Sequence, residues 1–115
     1  MTNQLVIRTV KDLKLASTKN KAPIWSKLAE MLQKPTIARR VVNVGRLGSV
    51  TKENDVVIVP GKVLGTGNIS HKITLYCFSI STAAARKIQS SGGRIINHND
   101  IISKFPTGKG VRIIG

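Results

Sequence analysis

The sequence has few acidic residues, a single cysteine and no long apolar run. Five Asp and Glu stand against nineteen Lys and Arg in 115 residues, which gives a formal net charge of +14. Cys77 alone allows no internal disulfide, consistent with a reducing compartment. No apolar run approaches the roughly 18 residues of a membrane span, and the N-terminus lacks the features of a signal peptide. These absences predict a soluble, intracellular protein.

The scarcity of acidic residues also limits the possible chemistry. The carboxylates are Asp12, Glu30, Glu53, Asp55 and Asp100. None of their spacings suggests an acid–base pair. His71 and His98 lie far apart in the sequence without a nearby second ligand, whereas a zinc site needs about four ligands. We therefore expect no catalytic residue, no metal site and no cofactor.

Aromatic residues are almost as scarce. They are Trp25, Tyr76, Phe78 and Phe105. Each lies within an apolar segment, so core packing is the favoured interpretation, as it is for Cys77. Modules that bind single-stranded RNA display several aromatic side chains for base stacking. A nucleic-acid partner of this chain would therefore be held through phosphate, sugar and shape.

The basic residues indicate the kind of partner. They run from Arg8 to Arg112 without a block that would form a separate tail, so the charge belongs to the folded surface. A chain this basic needs a polyanion. Membrane binders more often concentrate charge on one amphipathic helix, whereas nucleic acids are bound by many distributed Lys and Arg. Nucleic acid is the better prediction.

Two helices are predicted at the N-terminus. Asn3 can cap the first, and the polar run 17–21 should end it. Pro23 suits the first position of the second helix, and Lys34-Pro35 should close it, because the residue before proline disfavours helical geometry.

Beyond residue 40 the pattern changes to strands. Strands are predicted at 41–44, 55–59, 73–80, 94–97 and 111–114, with a helix from Ser81 to Gly92-Gly93 and a helical turn at 99–104. Residues 45–48 should interrupt the regular secondary structure, and Pro60-Gly61 should end the second strand. The β-branched run in 56–59 predicts burial on both faces.

This order of elements predicts an α/β fold: a small layered domain of short strands with packed helices, preceded by two N-terminal helices. We expect one domain over residues 1–115, with a helical part at 1–35 and an α/β core at 40–115.

Residues 59–72 are the most informative segment. Gly61, Gly65 and Gly67 lie between two strong strand patterns, flanked by Lys62, His71 and Lys72. Glycines let the backbone approach a ligand closely, and consecutive amides can form an anion-binding nest. One interpretation is therefore a loop that presses its backbone against RNA. The other is an ordinary glycine-rich hairpin connection, and the two stay about equally supported.

Nucleotide-binding motifs fail in this segment. A P-loop needs four residues between its first glycine and Gly-Lys, whereas Lys62 directly follows Gly61. A dinucleotide fingerprint needs a glycine where Ser70 stands. A nucleotide-dependent enzyme is therefore not expected.

Two further basic patches are predicted. Arg39, Arg40 and Arg46 surround the start of the first strand, and Lys109 and Arg112 belong to the C-terminal run. Any one of these residues, taken alone, is more simply a solvated surface cation.

Several motifs together resemble one known family. They are Val-Pro-Gly-Lys-Val-Leu-Gly-Thr-Gly at 59–67, His-Lys-Ile-Thr at 71–74, Ile-Trp at 24–25, Lys-Pro at 34–35, Val-Asn-Val at 42–44, Phe-Ser at 78–79, Gly-Gly at 92–93 and Gly-Val-Arg-Ile-Ile-Gly at 110–115. This set resembles the archaeal and eukaryotic large-subunit ribosomal protein "L eighteen e", which shares a superfamily with bacterial "L fifteen". The resemblance covers nearly the whole chain.

The resemblance implies a non-enzymatic protein of the cytoplasmic ribosome that binds large-subunit rRNA and neighbouring ribosomal proteins. It implies no membrane, no small-molecule substrate and no homo-oligomer. The residues carried over to RNA contact are Arg39, Arg40, Arg46, Gly61, Lys62, Gly65, Gly67, His71, Lys72, Lys109 and Arg112. The family typically has arginines directly after Lys-Pro, whereas residues 36–38 intervene here. The alternative is a basic nucleic-acid-binding or assembly module outside the ribosome.

Overall fold

The computed structural model describes residues 4–34 and 40–114. Its elements, in chain order, are α1 (Gln4–Asn20), α2 (Pro23–Gln33), β1 (Val41–Asn43), α3 (Val44–Val50), β2 (Val56–Leu64), β3 (Thr74–Ile80), α4 (Thr82–Ser90), β4 (Arg94–Ile95), α5 (His98–Lys104) and β5 (Val111–Ile113). Helices and one parallel sheet confirm the predicted α/β fold class.

The sheet is built around β2. Its strand order is β1-β2-β3-β4, and β5 also pairs with β2. Val41 of β1 lies opposite Lys62, whereas Val111 of β5 lies opposite Val56. All pairs are parallel, and β3 occupies the other edge of β2. β1 and β5 therefore lie end to end along one edge of β2.

Successive residues of the sheet face opposite sides and pack into two cores. Val57 and Leu75 belong to a cluster with Leu47 of α3 and Ile88 of α4. Their strand neighbours belong to a second cluster, which holds Ile58 and Tyr76 of the sheet, Leu13 of α1, and Trp25 and Leu28 of α2. Because side chains alternate across a strand, α3 and α4 cover one face of the sheet and α1 and α2 cover the other.

Several local predictions are confirmed. Pro23 opens α2, and Ser81 caps α4 by accepting a hydrogen bond from the Ala84 amide at 3.2 Å. Val57, Ile58 and Val59 are fully buried, as expected for a parallel strand covered on both faces.

The predicted end of the second strand at Pro60-Gly61 is wrong, because β2 continues to Leu64. The pairing of β2 with β3 shifts register between Val59 and Lys62, so the two residues lie at an irregularity where a missing amide donor is tolerated.

The predicted break at residues 45–48 is also wrong, because they belong to α3. Asn43 starts this helix by accepting a hydrogen bond from the Arg46 amide at 2.8 Å, and Val44 becomes its first residue instead of extending β1. The side-chain cap outweighs the weak helix propensity of two glycines over this short span.

The connection from β2 to β3 is not a hairpin, because the two strands are parallel. Residues 65–73, hereafter the crossing segment, return along the face of the sheet that α3 and α4 cover, where Ile69 and Ile73 join the core. Nine extended residues span roughly 30 Å, enough to return the length of β2 without a helix.

Within residues 4–34 and 40–114, no helix combines the length and the apolar character that crossing a bilayer requires.

Candidate nucleic-acid interface

The crossing segment is held in place by Lys87 of α4. The Lys87 Nζ donates hydrogen bonds to the carbonyl oxygens of Gly65 and Gly67, both at 2.6 Å. Between them, the Thr66 carbonyl accepts a hydrogen bond from the Gly45 amide at 3.0 Å. Three consecutive carbonyls thus have donors within the chain, which fixes the shape of this part of the surface.

The glycines of the predicted loop allow close packing against other parts of the chain. A Cβ on Gly65 would lie 2.7 Å from the Ala83 Cβ, and one on Gly61 would lie 2.5 Å from the Arg40 carbonyl oxygen. Gly67 has a φ of +86°, and a Cβ there would lie 2.5 Å from the Gly45 Cα. The packing interpretation of the glycines therefore has direct geometric support.

A polar groove lies between the crossing segment and α4. It is lined by Asn68, Ile69, Ser70, Arg86, Lys87, Ser90 and Ser91. We call it the basic groove, because it combines two cations with hydroxyl and amide groups and includes no carboxylate. Arg86 is exposed, whereas Lys87 is turned toward the crossing segment. Hydroxyls, amides and an exposed guanidinium are the groups that contact phosphate and ribose.

The basic groove was not predicted from the sequence. Its two sides come from residues 68–70 and 86–91, which are separated in the chain by the whole of β3. They meet because the crossing segment runs back over the face that α4 covers. Ala84 and Ile88 of this helix are buried in the core, whereas Arg86 and Ser90 are exposed.

His71 lies at the other end of the crossing segment, half-buried against Thr51. The Thr51 hydroxyl donates to the Leu47 carbonyl at 2.5 Å and lies 2.7 Å from the His71 Nε2. A hydroxyl has one proton, so it accepts the second bond, and the His71 Nε2 carries a hydrogen. The packing of His71 thus links the crossing segment to the end of α3.

Arg112 of β5 is partly engaged within the chain. Its Nη1 donates to the Val50 carbonyl at 2.8 Å and lies 3.3 Å from the Asp55 Oδ2. The pKa of the Asp55 carboxyl is lowered, chiefly because it accepts a hydrogen bond from the Lys52 amide and then because of Arg112, with burial opposing. Asp55 is therefore ionised at neutral pH and holds this guanidinium near the surface.

The other predicted residues are divided among separate places. Arg46 and Lys62 are exposed near the carboxyl ends of β1 and β2, and Arg40, which directly precedes β1, is half-buried beside Lys62. Lys72 lines a second polar cleft with Arg94 at the amino ends of β3 and β4. Arg39 lies outside the described residues.

Lys109 is exposed in the turn before β5, which packs against α2. The Trp25 Nε1 donates to the Pro106 carbonyl at 2.8 Å, and a Cβ on Gly108 would lie 2.5 Å from the Ile24 Cγ2. The predicted residues therefore do not form one patch: most lie at the two ends of the crossing segment, and Lys109 lies toward α2.

The aromatic residues are core residues, as predicted. Trp25 and Tyr76 are buried, and Phe78 and Phe105 pack against the same cluster. Cys77 is half-buried, and burial raises its pKa to about 11, so it remains a neutral thiol at physiological pH. Over residues 4–34 and 40–114, no group of three or more His, Cys, Asp or Glu could hold a metal ion.

Two adjacent cations of α4 should have different roles. Lys87→Met keeps the aliphatic stem but removes the donor to Gly65 and Gly67, so we expect a loss of about 1–3 kcal/mol in the free energy of unfolding. Arg86→Met removes the same charge from an exposed position and should leave stability unchanged. Urea denaturation of both variants measures the difference, and equal stability would contradict the role of Lys87.

The comparisons with known proteins agree with one another. Residues 25–96 match the sequence model of a family described as ribosomal proteins 50S-L15 and 50S-L18e with a 60S counterpart. The chain is 42% identical over 113 residues to the large ribosomal subunit protein eL18 of Pyrobaculum aerophilum, covering 98% of this chain and 93% of that protein. It is 40% identical over 110 residues to the eL18 of Sulfurisphaera tokodaii, covering 96% and 91%.

A more distant relative, the eL18 of Methanothermobacter thermautotrophicus, is 34% identical over 113 residues, covering 98% of this chain and 93% of that protein. The family match spans more than half of the chain, and these relatives align over nearly all of it. The chain therefore belongs to the 50S-L15 and 50S-L18e family of ribosomal proteins.

Proposed function

We propose that this protein is a structural constituent of the large ribosomal subunit that binds and stabilises folded rRNA. The observation that carries the proposal is the basic groove, in which a crossing segment of fixed shape, with Asn68 and Ser70, meets an edge of α4 made of cations and hydroxyls. The names of the relatives, each a large ribosomal subunit protein, support the ribosomal setting.

The charge of the chain favours a phosphate-rich partner. Two of the five acidic residues are engaged internally: Asp12 lies 2.9 Å from the His98 Nε2, and Asp55 lies 3.3 Å from the Arg112 Nη1. Most of the nineteen Lys and Arg therefore need an external counter-charge. The phosphates of folded RNA supply it, with release of counterions as the main source of affinity.

The mode of contact follows from the side chains at the surface. Because the aromatic residues are packed in the core, they are not available to stack on RNA bases. The protein should therefore recognise the phosphates, the riboses and the shape of the RNA. We assign RNA contacts to Arg86 in the basic groove and, along the crossing segment and at its two ends, to Arg46, Gly65, Gly67, His71 and Lys72. We propose further RNA contacts, outside the basic groove, by the other predicted cations: Arg39, Arg40, Lys62, Lys109 and Arg112. Gly61 was carried over with these residues, and its burial beneath Arg40 supports a packing role for it within the proposal.

In this function the protein has no catalytic step and needs no cofactor. It acts as a monomer within the cytoplasmic ribosome, beside neighbouring large-subunit proteins.

Sedimentation tests the ribosomal assignment directly. The native protein should co-migrate with large subunits through moderate salt and leave them at high salt, because phosphate contacts are screened. An Arg46→Gln/Arg86→Gln variant should dissociate at lower salt than wild type, and a Lys27→Gln/Lys104→Gln variant, with the same loss of charge from exposed positions on other helices, should not. If the wild-type protein were recovered only in fractions without ribosomal subunits, the ribosomal assignment would be contradicted.

A further inference from the structure

A second basic surface lies on the outward side of α1. Arg8, Lys11, Lys14 and Lys19 are all exposed on this 17-residue helix. Its one acidic residue, Asp12, lies 2.9 Å from the His98 Nε2 of α5 and is thereby occupied within the chain. The helix thus offers four cations whose charge is not balanced along the same surface. None of the four was among the residues predicted to bind RNA.

The same surface includes two apolar side chains. Ile7 is 54% exposed and Leu15 is 58% exposed, and they lie two turns apart with Lys11 between them. Residues four apart on a helix lie on the same face, so Ile7, Lys11 and Leu15 form one stripe with the other cations along its flanks. The stripe is too narrow and too interrupted by charge for the broad apolar face of a membrane-surface helix.

This outward face of α1 and the basic groove point to opposite sides of the molecule. α1 buries Leu13 in the cluster that includes Ile58 and Tyr76 of the sheet. The crossing segment buries Ile69 and Ile73 against Val57 and Leu75, the strand neighbours that face the other way. The sheet therefore lies between the two basic surfaces, and one RNA helix seated against either surface does not reach the other.

We propose that the outward face of α1 binds a second RNA segment, so that the protein bridges two separate parts of the folded rRNA. This inference rests on the proposed function and goes beyond it, because a single binding face would satisfy that function. The protein would then stabilise an RNA fold by holding two segments at a fixed separation, as well as by neutralising phosphate.

The chemistry of the α1 face matches an A-form RNA duplex. Cations three residues apart on a helix are about 5–6 Å from each other at their Cβ atoms and can contact phosphates along a strand. The wide, shallow minor groove of RNA presents ribose and base edges against which Ile7 and Leu15 can pack. A basic neighbouring protein would instead be repelled by the four cations.

Directed hydroxyl-radical cleavage tests the bridge in the intact subunit. In a Cys77→Ala background, Thr18→Cys places an iron chelate on the α1 face and Ser70→Cys places one at the basic groove, both at exposed positions. We expect cleavage of large-subunit rRNA from both positions, at segments that do not overlap. The Cys77→Ala protein alone gives the background.

The outcomes separate the two proposals. A protein that co-sediments with the subunit but cleaves rRNA only from position 70, or cleaves the same segment from both positions, would overturn the bridge and leave the proposed function intact. A protein that does not co-sediment removes both.

Charge removal provides an independent readout. The triple variant Arg8→Gln/Lys11→Gln/Lys14→Gln should weaken rRNA cleavage by the chelate at position 18. It should leave rRNA cleavage by the chelate at position 70 unchanged. The slope of log affinity against log salt for large-subunit rRNA should become shallower by about 2–3. The mirror variant Arg46→Gln/Lys72→Gln/Arg86→Gln should give the opposite cleavage pattern. Equal loss from both positions in both variants would mean a single RNA segment.

Discussion

Gly67→Ala is expected to lower the free energy of unfolding by about 2–5 kcal/mol. Two costs add at this position. The φ of +86° disfavours any residue with a Cβ, and the new Cβ would lie 2.5 Å from the Cα of Gly45 and 2.8 Å from its amide nitrogen. These atoms belong to the backbone of α3, so relief requires α3 and the crossing segment to separate. Chemical denaturation monitored by circular dichroism measures the loss.

Gly110 provides a matched control for this substitution. Its φ is +81°, almost the same as that of Gly67, but a Cβ there would meet nothing within 4 Å. Gly110→Ala should therefore cost only the backbone term, about 1–2 kcal/mol. The difference between the two variants isolates the contact between Gly67 and Gly45. Similar losses in both would show that this contact does not hold the crossing segment in place.

Affinity for folded large-subunit rRNA should fall by a factor of about 250 to 1,000 between 50 and 200 mM monovalent salt. About six phosphate contacts give a slope of log affinity against log salt of roughly −4 to −5. The +14 charge and the exposed cations at the basic groove are the reason to expect a slope this steep. Filter binding or fluorescence anisotropy over a salt series measures it.

The same titration with duplex DNA tests the alternative of a basic module outside the ribosome. Neutralisation of phosphate is nonspecific, so it predicts similar slopes of log affinity against log salt for the two nucleic acids. Discrimination should instead appear as a constant difference in affinity, with folded rRNA bound more tightly at every salt concentration. An affinity for rRNA that does not change with salt would contradict the electrostatic mechanism. Equal affinity for the two would favour the non-ribosomal alternative.

The structure also changes the expectation for Gly65. From the sequence alone, Gly65→Val would be predicted to harm RNA binding more than folding, because the glycine was assigned to close contact with RNA. A Cβ at this position would lie 2.7 Å from the Ala83 Cβ and 3.1 Å from the Ala84 amide nitrogen, at the start of α4. The substitution should therefore destabilise the fold as well as the groove that the fold positions.

Local signals in the sequence were sufficient for most elements. Ser81 and Pro23 mark helix starts by side-chain capping and fixed backbone geometry, which need no partner from elsewhere in the chain. The β-branched residues of β2 indicate burial on both faces for the same local reason. The sequence therefore predicted the fold class and most of the strands and helices.

The errors have a common physical origin in contacts between distant segments. Pro60 and Gly61 would normally end a strand, but pairing with β1 and β3 carries β2 past them. Gly45 and Gly48 would normally weaken a helix, but their missing side chains admit the backbone of the crossing segment, with Gly45 against Gly67 and Gly48 against Asn68. The parallel connection then decides which cations of the crossing segment and α4 meet, so the basic groove could not be inferred from spacing along the chain.

The position of β5 has a consequence for how the chain folds during synthesis. Residues 111–113 pair with Val56–Ile58, so the amino-terminal half of one edge of β2 stays open until β5 has been synthesised, whereas β1 covers the carboxyl-terminal part of that edge earlier. No pair of strands among the described residues is closed by a local hairpin, and such non-local topologies fold slowly. A nascent chain that stops before Val111 would expose an unpaired apolar strand edge, a feature that promotes aggregation. Completion of this sheet therefore waits for β5, and a protein that lacks residues 111–113 should be more prone to aggregate than the wild type.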